Sequence, residues 1–227
     1  MRSSSLHYFP LAPLFLFVFI VLLGLVLLLI QIGLLGYAYE KIGIRREHVF
    51  ALLLLSLLGS YVNIPVVEIP EREILSGREV EFFGVRHVVP AVEAWPRTVV
   101  AVNVGGAILP ILLSLYLLVK NRLYVPGLAG VAIVAAVVYW LAYPVRGVGI
   151  AVPIFVPPLV AALAAVLLSR QSAPSLAYIA GSLGTLIGGD LMNLGKVQGL
   201  GAPIVSIGGA GTFDGIFLTG ILAVLLA

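Results

Sequence analysis

Asp190 and Asp214 are the only aspartates in this 227-residue chain; its other eight acidic residues are all Glu. Both sit in apolar, glycine-rich sequence, "IGGDLMNLGKVQGLGAPIVSIGGAGTFDGIF" from Ile187 to Phe217. Two carboxylates held a few Å apart in a medium of low dielectric constant cannot both ionise easily, and they share a proton. The ionised member can then activate water as a general base while the protonated one polarises a carbonyl. A single carboxylate in the same setting could instead bind a proton or a small cation.

Other chemistries find little support. Cysteine is absent, which removes disulfides, thiolate metal sites and a cysteine nucleophile. The three histidines, His7, His48 and His87, form no ligand-spaced pair for zinc. "GGAGTFDG" lacks the GxxxxGK[ST] pattern, follows no predicted strand and has no basic neighbour, which argues against nucleotide binding. No cofactor, metal or nucleic-acid partner is expected.

The elements that position the aspartates follow from composition. The chain is 61% hydrophobic and only 10% charged, with mean hydropathy +1.17. A soluble domain carries about 25% charged residues, so the expected class is all-α, a multi-pass bundle of about seven transmembrane spans, some discontinuous. The expected partner is therefore the lipid bilayer. The net charge of +3 needs only basic residues at membrane edges. Methionine at positions 1 and 192 alone points weakly to a thermophilic source.

Apolar runs place the spans at Phe9–Tyr37, Val49–Leu58, Thr98–Val119, Leu128–Tyr143, Val148–Ser169, Leu176–Leu194 and Phe213–Ala227. The whole of 1–227 reads as one membrane domain with residues 68–97 as an extramembrane loop between spans two and three. That loop holds six Glu and four Arg, and "EVEFFGVRHVVP" has the content of a short hairpin turning near Gly84. Lys41, Arg45, Arg46, Lys120, Arg122 and Arg170 collect on one side, so the C-terminus is expected in the cytoplasm and the N-terminus and loop outside. At ~1.5 Å per residue, Asp190 then lies roughly 22 Å and Asp214 roughly 20 Å from the cytoplasmic edge.

Glycines at 184 and 188, and again at 211 and 215, have the GxxxG spacing that lets helices approach closely. The stretch between the aspartates reads as a dip into the membrane or a cap over a cavity. Gly188, Gly189, Asn193, Pro203, Gly208, Gly209, Gly211 and Thr212 are its candidate supporting residues, with the Gly208–Gly211 amides as oxyanion donors. Asn63 and Asn103 are further polar candidates, as route lining or as interhelical hydrogen-bond glue. Structural roles compete throughout. Asp214 also fits an N-cap for the last helix, and Asp190 also fits an ion pair with Lys196.

"LLGSYVNIP", "VAVNVGGAILPILLSLYL", "GVGIAVPIFVPP", "GTLIGGDLMNLGK" and the C-terminal segment together resemble the domain-of-unknown-function family sixteen-fourteen, multi-pass membrane proteins of archaea and bacteria. The resemblance implies a shared fold and no particular activity. A weaker similarity links the paired aspartates to intramembrane aspartyl proteases, the presenilin and signal-peptide-peptidase group. Here Ile187 replaces the first glycine of GxGD, the Gly–Asp motif comes first in the chain, and no PAL tripeptide is present. The leading expectation is a di-aspartate intramembrane hydrolase acting on membrane-embedded peptide. The alternatives are a proton- or cation-coupled transporter or channel, and a non-catalytic membrane assembly factor.

Overall fold

A computed structural model describes residues 18, 20–25, 33–70, 79–82, 85–88, 97–145, 149–197, 204–209 and 215–227. Most of the first expected span, the turn of the 79–88 hairpin, Pro203, Gly211, Thr212 and Asp214 lie outside the described residues.

The described chain is mostly helical with small sheets. Residues 18 and 20–25 are helical, and helices α1 (Leu34–Lys41) and α2 (Arg46–Gly59) follow. Strand β1 (Asn63–Pro70), the hairpin β2 (Glu79–Phe82) and β3 (Val85–Val88), and β4 (Arg97–Asn103) follow. A π turn, Val104–Ile108, leads into α3 (Leu109–Lys120) and then α4 (Tyr124–Leu141). Short strands β5 (Tyr143–Val145) and β6 (Gly149–Ala151) precede α5 (Val156–Leu168) and α6 (Ala173–Thr185). A second π turn, Leu186–Asp190, and a 3₁₀ segment, Leu191–Lys196, extend α6; β7 (Ile204–Ile207) and α7 (Gly215–Leu226) complete the order.

Helix α6 is the axis of the bundle. Eleven of its thirteen residues are buried, and it packs against α3, α4, α5 and α7. Small side chains make this packing close. The Cβ of an alanine at Gly184 would stand 2.6 Å from Val134 Cβ, and one at Gly188 would collide with the Ala135 carbonyl. The 184/188 pair thus does what its spacing predicts, with α4 as the partner. Of the 211/215 pair, Gly211 lies outside the described residues, and no described residue lies within 4 Å of a Cβ placed on Gly215.

Two contacts fix which helix ends lie together. Lys120 Nζ donates to the Gly43 carbonyl at 2.6 Å, and Lys41 Nζ donates to the Val224 carbonyl at 3.5 Å. The C-terminal turns of α1, α3 and α7 therefore share one end of the bundle. The β1–β4–β7 sheet lies at the other. β1 pairs antiparallel with β4, and β4 pairs parallel with β7, giving the order β1–β4–β7. Pro65 has no N–H for the ladder, and the β1 register shifts just beyond it, between Pro65 and Val67.

The expected third span needs correction in its first half. Arg97–Asn103, "RTVVAVN", is a strand rather than helix, because its β-branched run suits a pleated surface and finds β1 and β7 as partners. The expected fifth span likewise begins in β6, and the sixth loses α geometry after Thr185. The hairpin expected within 79–90 is present as β2–β3. Among the described residues one helix, Tyr124–Leu141, is long and apolar enough to cross a membrane by length and composition; the shorter apolar helices run from 12 to 17 residues.

Candidate functional site

At the strand-bearing end, a cavity of about 440 Å³ opens beside the break in α6. Its walls come from β6, the start of α5, the end of α6 with its π turn, all of β7, and the first turns of α7. Thr185, Gly189 and Asp190 contribute from one side, Ser206 and Gly209 from a second, Gly215 and Thr219 from a third. The remaining lining is aliphatic or proline. Volumes of this order are typical of ligand pockets with few polar groups on apolar walls.

Asp190 ends the π turn and is partly buried. Its Oδ2 accepts the Gly208 N–H at 2.8 Å. Gly208 makes this bond from the left-handed region, at φ 71°, where a side chain would be strained. A Cβ there would also stand 2.6 Å from Ala107 Cβ and 2.7 Å from backbone of residues 106 and 107. This position thus requires glycine both for conformation and for space.

Asn193 holds the turn from below. It is fully buried, and its Nδ2 donates to the Gly188 carbonyl at 2.7 Å and the Gly189 carbonyl at 3.0 Å. Those carbonyls sit where the helix changes its winding and loses regular partners. Lys196 does not pair with Asp190 as an ion-pair reading expects. Its Nζ lies 4.5 Å from the centre of the Tyr139 ring, a cation–π placement.

Asn63 and Asn103 are brought together, but outside the cavity lining. They face each other across β1 and β4, with Asn103 Nδ2 donating to Asn63 Oδ1 at 3.0 Å and to the Ser60 carbonyl at 2.7 Å. Asn103 Oδ1 caps the first π turn by accepting the Gly106 N–H at 2.8 Å. Ser206 Oγ donates to Asn63 Oδ1 at 2.6 Å, so the network reaches the cavity through β7.

Of the expected oxyanion donors, Gly208 and Gly209 are described, and both N–H groups have partners. Gly208 N–H is engaged by Asp190, and Gly209 N–H donates to the Ser206 carbonyl at 3.2 Å. Asp214 lies outside the described residues, while Gly215, the next residue in the chain, lines the cavity. Among the described residues no group of three or more His, Cys, Asp or Glu is placed to hold a metal. Thr185 and Ser206 were not legible as site residues. Only the π turn and the β7 strand bring them in, and neither has a signature in single-sequence periodicity.

A family model described as a protein of unknown function (DUF1614) matches residues 57–226, which include every element around the cavity. Neither a curated protein nor a solved structure matches the chain.

Proposed function

The chain belongs to the DUF1614 family of proteins of unknown function, and for it we propose an integral membrane hydrolase that cleaves membrane-embedded peptide with Asp190 and Asp214. The membrane part of this reading is supported by the outer surface. Trp140 is 83% exposed, Val125 80%, Leu167 76% and Leu128 73%, a degree of apolar exposure that water does not favour. Lipid does. Lys41, Arg45, Lys120 and Arg122 flank the helix ends opposite the cavity, which favours that end as cytoplasmic.

One observation carries the hydrolase reading: Asp190 and Gly215, the covalent neighbour of Asp214, line the same cavity. The mostly aliphatic walls suit an apolar chain, and few polar groups compete for it. In the reaction, one ionised aspartate takes a proton from water as the water oxygen bonds to the scissile carbonyl carbon. The protonated aspartate hydrogen-bonds the carbonyl oxygen, and the C–N bond then breaks as the amine leaves with a proton. Gly215 and Ile216 open α7 beside the cavity, so first-turn N–H groups there replace Gly208–Gly211 as the proposed oxyanion donors.

The test is cleavage of a transmembrane peptide by purified chain in proteoliposomes. Asp190→Asn and Asp214→Asn should each remove activity; full cleavage by either variant sinks the reading. A second reading, proton- or cation-coupled transport, draws on the broken α6, since unwound helix at an acidic residue is a transporter device. Ion flux lost in either variant, without peptide cleavage by the wild type, would favour it.

A further inference from the structure

Among the described residues, buried side-chain polar atoms of Ser114, Ser182, Thr185 and Asn193 lack a hydrogen-bond partner, and of these residues Thr185 is the one that lines the cavity. Thr185 is 7% exposed, and its Oγ1 has no hydrogen-bond partner among the described residues. A helical threonine usually returns this hydroxyl to a carbonyl three or four residues back. Valine would fill the same shape without an orphaned polar atom, so the hydroxyl needs another reason to be there. Thr185 lines the cavity that holds Asp190.

The winding of the chain ties the two residues together. Residues five apart on an α-helix point about 140° from each other. Thr185 and Asp190 are five apart, but the intervening residues form the π turn Leu186–Asp190. The wider i→i+5 winding of a π turn brings such residues closer to one face than an α-helix does, and both line the cavity. Asn193 secures that turn through the Gly188 and Gly189 carbonyls, and Gly208 occupies one lone-pair site of Asp190 Oδ2. A carboxylate offers about four such sites.

We propose that Thr185 Oγ1 and the Asp190 carboxylate hold between them the water molecule that attacks the scissile carbonyl. This rests on the hydrolase reading above and assigns Thr185 as a positioning residue for its nucleophile. The hydroxyl orients the water oxygen toward the carbonyl carbon while Asp190 receives the proton.

The test compares Thr185→Val, Thr185→Ser and Asp190→Asn in full-length chain in proteoliposomes, by peptide cleavage and by infrared difference spectra. The Asp190 carboxyl band is identified by its loss in Asp190→Asn. Thr185→Val should lower kcat by about 10²-fold with KM little changed, and should shift the Asp190 band. Thr185→Ser should restore both; Thr185→Ala replaces the valine variant if that variant does not fold. An unshifted band together with unchanged kcat in Thr185→Val overturns the proposal while leaving the hydrolase reading intact. Equal loss in the serine and valine variants also overturns it, since packing would then explain the effect. If the wild type cleaves nothing, the hydrolase reading and the nucleophilic role of the water both fall, and a band shift in Thr185→Val then shows only that Thr185 and Asp190 are coupled.

Discussion

Asp190 and Gly208, eighteen positions apart, are joined by an N–H···Oδ2 hydrogen bond of 2.8 Å between the broken end of α6 and the turn after β7. The glycine reaches the carboxylate only because it adopts φ 71° against the first π turn. One residue thereby decides both the position of the carboxylate and the closure of the sheet end.

Gly208→Ala should therefore destabilise the fold by about 2–4 kcal/mol, combining left-handed strain with crowding against Ala107. Gly195→Ala is the control, because nothing lies within 4 Å of its added methyl, and its effect should stay within about 0.5 kcal/mol. Denaturant unfolding in detergent micelles measures both. Equal stabilities would show that Gly208 is not constrained as described.

Asn193→Asp keeps the size of the side chain but replaces the amide donor with a carboxyl oxygen. Two carbonyls, of Gly188 and Gly189, would lose their donor and face that oxygen in a fully buried site. The expected cost exceeds about 3 kcal/mol. The same unfolding assay reads it, and the loss should exceed that of Asp190→Asn, which keeps an acceptor for Gly208.

Asn63 and Asn103 should show unequal single-mutant costs. Asn103→Ala removes partners from Ser60, Gly106 and Asn63 at a buried position and should cost about 2–3 kcal/mol. Asn63 is exposed, and Asn63→Ala should cost about 1 kcal/mol. Their double-mutant cycle should return a coupling of about 0.5–1 kcal/mol; additive losses would mean that the two amides do not interact.

The parts of this architecture that were legible in the sequence are those governed by local chemistry. "EVEFFGVRHV" reads as a hairpin because β-branched and aromatic residues flank a glycine, and β2–β3 form there. Gly184 and Gly188 read as a packing face because their spacing matches a helical turn, and α4 sits on it. What escaped was non-local or unwound. "RTVVAVN" has the hydropathy of a span, and its strand identity depends on β1 and on a β7 that comes about a hundred residues later. The π turn that ends at Asp190 leaves hydropathy unchanged, so Thr185 showed no sign of sharing a cavity with the carboxylate. The amides of Gly208 and Gly209 looked free for a ligand because their partners, Asp190 and Ser206, come from chain folding.

The parallel pairing of β4 with β7 also sets an order of events. β4 is synthesised well before Ile204–Ile207 exists, and only the latter strand brings Ser206 and the Gly208 amide to their partners. Pairings so distant in sequence close late in folding. During synthesis α3, α4 and α5 can pack on α6 while Asp190 still lacks the Gly208 bond, and the carboxylate is fixed only after Gly208 has emerged. A chain stopped short of β7 would thus carry α3 to α6 without the assembled pocket, and whatever chemistry resides there would start only once β7 and α7 are in place.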